Sequence, residues 1–161
     1  MKKLYTPNSP TRLEPTAPSP WRYVGLAALA IYWLAMLTGT HYPRIPNTVM
    51  FTSGFDKVCH FVGFAGLAFL AGLAWSLQRS VQRPLGRANL ALILAVLTVY
   101  GSLDELTQPL VGRSCEFADW IADLAGAAAG LTAFAMTTLL TRQRSHHAPR
   151  DERTEEKASL A

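Results

Sequence analysis

Charge is scarce in this chain of 161 residues, and the places where it is missing are informative. Asp, Glu, Lys and Arg make up 16% of the residues and apolar types 50%. No charged residue lies between His60 and Arg79, and none between Asp123 and Arg142. A soluble amphipathic helix of that length carries a polar stripe at 3.6-residue spacing, so these gaps argue against a soluble four-helix bundle. Also missing is any compact basic and aromatic stripe, which leaves the net charge of +4 without a nucleic-acid reading. No internal or inverted repeat is visible, which argues against a secondary transporter. The length allows one domain.

What is present are four apolar runs, residues 21–37, 58–77, 88–103 and 120–140. Each approaches the roughly 20 residues that cross a hydrocarbon core. The expected fold is therefore all-α, a membrane protein built as a bundle of four transmembrane helices spanning residues 21–141. Residues 1–20, with five prolines, are expected to form a disordered cytoplasmic tail, and residues 142–161 a charged cytoplasmic tail. A cleaved signal peptide is disfavoured, because the leader is long and Pro-rich and no small-x-small site follows Leu37.

The basic residues set the orientation. Lys2, Lys3, Arg12 and Arg22 precede the first run, Arg79, Arg83 and Arg87 separate the second from the third, and Arg142, Arg144, Arg150, Arg153 and Lys157 follow the fourth. Only Arg44, Lys57 and Arg113 fall in the other two loops. The positive-inside rule puts both termini in the cytoplasm and residues 38–57 and 104–118 outside. Trp21, Tyr23, Tyr32, Trp33, Tyr42, Trp75, Tyr100 and Trp120 read as belt aromatics near run ends. Ala118, Ala122, Gly126 and Gly130 recur every four residues and form a ridge that lets another helix approach, with Gly63, Gly66, Gly72 and Gly101 as candidate facing surfaces. That ridge also admits a homo-oligomer contact.

Two outward polar strings remain, and ionisable residues beside hydrocarbon mark a functional site by default. The first holds Asp56, Lys57 and His60. Asp56 suits an N-cap, and His60 shares its helix face at i+4. The second holds Asp104, Glu105 and Gln108, followed by Arg113, Asp119 and Asp123. Asp104 and Glu105 oppose the dipole at a helix C-terminus and need Lys57, Arg113 or a cation for compensation. Pro109 and Gly112 turn the chain so that Arg113 returns over the cluster. Asp119 reads as a cap. Asp123 lies a turn deeper, where an acid must face the bundle interior and find a partner.

The order Asp56-Lys57-x-x-His60-Phe61, Tyr100-Gly101-x-x-Asp104-Glu105-x-x-Gln108, Gly112-Arg113-Ser114 and Asp119-x-x-x-Asp123-x-x-Gly126-x-x-x-Gly130 resembles the VanZ-like family over residues 56–131. The family usually carries Asn where Asp123 stands. The resemblance implies a bacterial inner-membrane protein of the cell envelope, and its founding member is associated with teicoplanin resistance.

Two functions follow as expectations. One is binding or exclusion of an amphiphile at the outer leaflet, such as a lipid-linked cell-wall precursor or a glycopeptide. In it an ion-paired cluster holds the loops, while His60 and Gln108 bond a head group. The other is an enzyme on a lipid-linked substrate. There His60 is a base oriented by Asp56, and Lys57 and Arg113 hold a phosphate. Asp104, Glu105, Asp119 and Asp123 would bind Mg²⁺ or Mn²⁺. Cys59 and Cys115 share the outward side, where a disulfide between them can persist, or Cys59 is instead buried as a small hydrophobe.

Overall fold

The computed structural model describes residues 19–42, 53–78 and 85–147. The expectations for the Pro-rich segment up to residue 18, for Arg44, for Arg79 and Arg83, and for the tail beyond residue 147 lie outside the described residues. Among the described residues four helices make up the fold: α1 (Trp21–Thr40), α2 (Ser53–Gln78), α3 (Arg87–Thr107) and α4 (Phe117–His147), with a 3₁₀ turn at Gln108–Val111 after α3. All four are long and apolar enough to cross a membrane. The fold is all-α, as the apolar runs require.

Contacts at both ends fix the directions. Arg22, at the start of α1, reaches Gln78 at the end of α2. Thr40, at the end of α1, bonds Asp104 near the end of α3. Thus α1 and α3 run one way, and α2 and α4 the other. The described cations at one end are Arg22, Arg87, Arg142 and Arg144, while Lys57 and Arg113 sit among acids at the other.

The α2–α4 pair is the centre of the bundle. A Cβ at Gly126 would run into the Phe61 carbonyl, and one at Gly130 into that of Ala65, so the ridge on α4 exists to receive the backbone of α2. Gly126 and Gly130 are thereby used within the bundle. Two of the expected facing glycines also turn elsewhere: Gly63 and Gly66 lie under Met36 and Tyr32 of α1. Between the helices lies a core of Phe64, Leu67, Ala68, Ile93, Leu97, Ala127 and Leu131. Helix α1 is peripheral, with Gly25 its one buried residue. An apolar groove of about 940 Å³ runs between α1 and α3 over α2, from Leu26 and Trp75 to Trp33 and Tyr100.

Polarity is inverted relative to a soluble protein. The buried set contains Asp56, His60, Asp104, Glu105, Gln108, Arg113, Asp119 and Asp123, while Val58, Val62, Val96, Val99, Leu103 and Leu106 face outward. In a bilayer the outward apolar faces lose nothing, and polar side chains must satisfy one another inside the bundle. Tyr32 and Tyr100 depart from the belt reading. Tyr32 donates its hydroxyl to the Gly63 carbonyl, and Tyr100 stacks on Phe64 at 5.6 Å between ring centroids.

Candidate functional site

Helix α2 starts at Ser53, four residues earlier than the N-cap reading of Asp56 requires. Asp56 therefore lies in the first turn, where the helix dipole still favours a carboxylate. Its partner comes from the far side of the bundle. Gly112 adopts φ 77°, a left-handed conformation that glycine reaches at little cost. The chain reverses there, and Arg113 places Nη2 2.7 and 2.8 Å from the two Asp56 oxygens. The Arg113 and Asp56 side chains are only 6% and 12% exposed, so this is a largely desolvated charge pair.

Lys57 turns to α4. Its Nζ donates to Glu116 Oε2 at 2.9 Å and to Asp119 Oδ1 at 3.1 Å. Asp119 lies in the first turn of α4 rather than capping it.

His60 is held differently from the expectation. Its Nδ1 lies 2.8 Å from Asp123 Oδ1, across the α2–α4 contact, and 3.8 Å from Glu105 Oε1. Asp123, not Asp56, orients the ring; the i−4 relation loses because Asp56 is engaged by Arg113.

The acids at the end of α3 are compensated by dipoles and hydroxyls. Glu105 Oε2 accepts the backbone N–H of Glu116 at 2.9 Å, so the carboxylate docks on the N-terminus of α4, where unsatisfied N–H groups favour an anion. Glu105 Oε1 accepts Gln108 Nε2 at 2.9 Å. Asp104 accepts the hydroxyl of Thr40 at 3.0 Å, with His41 Nδ1 at 3.6 Å. His41 Nε2 meets Thr107 Oγ1 at 2.9 Å. The sequence reading missed Thr40, His41 and Glu116. The first two lie at the end of a run that the motif did not include, and the third needed the pairing of Lys57 with α4.

The four acids expected to bind Mg²⁺ or Mn²⁺ divide. Asp104 faces α1, Asp119 faces Lys57, and Glu105 and Asp123 face His60. Donor atoms of His60, Glu105 and Asp123 lie within 4.8 Å of one another, as do those of Asp56, His60 and Asp119.

A cleft of about 490 Å³ opens between the end of α1 and the start of α2. Ala35, Met36, Tyr42 and Phe55 give it apolar walls, and Thr38, Thr40, Asp56, His60 and Arg113 give it a polar side. Cys59 also lines it. Both cysteines are free and exposed, which corrects both the bridged and the buried readings: Cys59 points outward from α2, and Cys115 sits on the exposed segment before α4.

Comparison with known proteins finds no match among curated proteins or solved structures. A family model described as VanZ/LLP1 matches residues 14–140, which brings α1, with Thr40 and His41, inside the resemblance that the motifs alone began at Asp56. With the motif residues gathered at one end of four spanning helices and the match covering most of the chain, the chain belongs to the VanZ/LLP1 family.

Proposed function

We propose that this protein sits in the bacterial inner membrane with both termini in the cytoplasm, and that it binds or excludes an amphiphile at the outer leaflet. The ligand class is a lipid-linked cell-wall precursor or a lipophilic glycopeptide of the teicoplanin kind. The basic residues at the opposite end of the bundle support the orientation. The observation that carries the reading is the cleft between α1 and α2, which joins lipid-facing apolar walls to Asp56, His60 and Arg113. An apolar chain entering it stays in a hydrocarbon-like environment, while a head group meets hydroxyls and a charge pair. Amphiphile sites have this division between apolar walls and a few placed polar groups.

The cleft can be filled without touching the charged network. Gly39 lines it, and a Cβ added there meets nothing within 4 Å. Gly39→Leu is expected to lower glycopeptide or envelope-stress resistance at an unchanged membrane level. Full resistance in a normally inserted Gly39→Leu protein would sink the reading.

Catalysis on a lipid-linked substrate is a second reading, favoured by one observation: His60 both borders the cleft and is held by a carboxylate, that of Asp123. Carboxylate-oriented imidazoles serve as general bases. Turnover of a lipid-linked precursor by purified protein, lost in His60→Gln, separates this reading from binding alone.

A further inference from the structure

We infer that His60, Glu105 and Asp123 form a binding site for one divalent transition-metal ion, a site that stands independently of what occupies the cleft. Each ligand comes from a different helix, α2, α3 and α4. Their donor atoms lie within 4.8 Å of one another, with His60 Nδ1 2.8 Å from Asp123 Oδ1 and 3.8 Å from Glu105 Oε1. Ligands around an ion at ordinary metal–ligand bond lengths stand about 3–3.5 Å apart, so small side-chain adjustments seat one.

Unpartnered atoms point the same way. Asp123 is 2% exposed, yet its Oδ2 has no hydrogen-bond partner among the described residues, and neither does Oε1 of the adjoining, fully buried Gln108. Buried polar atoms in native proteins are almost always satisfied, and a cluster of exceptions calls for a ligand.

Charge selects this set over its neighbour. His60 stands between two carboxylate pairs. Asp56 and Asp119 already hold Arg113 and Lys57. Glu105 and Asp123 share His60, and Asp104 lies beside them with its own contacts to Thr40 and Gln108. One imidazolium does not balance two buried carboxylates, whereas a divalent ion does. Donor chemistry selects the metal: a ring nitrogen with carboxylate oxygens suits Zn²⁺, Mn²⁺ or Fe²⁺, while Mg²⁺ and Ca²⁺ take oxygen ligands. With Nδ1 on the ion, Nε2 would carry the ring proton, and it has no hydrogen-bond partner among the described residues.

The test uses the full chain in detergent with both thiols removed (Cys59→Ser, Cys115→Ser), since free cysteines also bind Zn²⁺. After stripping with chelator, the protein is titrated with Zn²⁺ and with Mn²⁺. One ion per chain is expected, with a concentration-dependent rise in melting temperature. Glu105→Gln and Asp123→Asn are each expected to weaken binding at least tenfold. Bound Mn²⁺ is expected to show imidazole nitrogen coupling in pulsed EPR, and that coupling needs no variant of the site to be read. Of the four histidines, His41, His146 and His147 can be replaced together, leaving His60 as the sole source. Absence of nitrogen coupling in that protein overturns the site. So does binding below a tenth of an equivalent, or binding of equal strength in folded Glu105→Gln.

Discussion

At the residue scale the ordering principle is partner choice under burial. Arg113 and Asp56 lie 57 positions apart and nearly dry, so neither charge can fall back on water. Arg113→Gln is expected to cost about 3–5 kcal/mol, most of it the penalty of an uncompensated Asp56. Adding Asp56→Asn to that variant is expected to restore part of the loss, because a neutral amide leaves no orphan charge. Unfolding of the single and double variants in detergent measures both. A double variant less stable than Arg113→Gln alone would mean the two residues are not a coupled pair. The sequence was a good guide to membership of this cluster and a poor one to its bonds. Eight of the nine residues singled out are buried at one end of the bundle, and Lys57 lies beside them partly exposed. Burial next to hydrocarbon is written in the sequence, since an acid inside an apolar run has nowhere else to go. Pairing is not: His60 meets a residue 63 positions away rather than the one four positions before it. Local spacing places candidates on a helix face, and helix rotation decides which candidate is reached.

At the element scale the small residues of α4 decide how closely it approaches α2, and that approach brings His60 to Asp123. A spacing of four showed that a ridge existed. It could not show which helix the ridge receives, because carbonyls on a facing backbone carry no sequence signal. Gly130→Ala places a methyl group against the Ala65 carbonyl. Backbone cannot yield as a side-chain tip does, so α2 and α4 must separate, at an expected cost of about 1–3 kcal/mol. Gly39→Ala has open space around its new Cβ and is expected to stay within about 0.5 kcal/mol of the parent. Melting of the two variants side by side is the check, and equal stability would mean that α2 and α4 do not pack through Gly130. Helix α1 shows the converse limit. Its motif signal is weak, yet Thr40 and His41 at its end complete the surroundings of Asp104. A helix with one buried residue, a few half-buried side chains and two polar groups at its end offers little for pattern reading to find.

At the scale of the whole molecule the bundle has two unlike ends, and the membrane must distinguish them. One end buries five carboxylates together with Arg113 and His60; the other presents Arg87, Arg142 and Arg144 exposed. Cytoplasmic retention of basic segments then predicts the sense of insertion, with the cluster outward. The native thiols make this measurable. Cys115 is free and exposed at the cluster end, so a membrane-impermeant maleimide is expected to label it in intact spheroplasts. In a Cys59→Ser, Cys115→Ser background, Arg144→Cys at the opposite end is expected to label only after the membrane is permeabilised. Two thiols per chain are expected to titrate in the denatured, unreduced protein, because nothing bridges Cys59 to Cys115. Labelling of the Arg144→Cys protein from outside, with Cys115 protected in the parent, would invert the bundle. It would move the cleft and its charged wall to the cytoplasmic leaflet, where a lipophilic antibiotic arriving from outside does not reach them first. The orientation is thus the premise on which an outer-leaflet ligand depends, and a single labelling pair tests it without any assumption about what that ligand is.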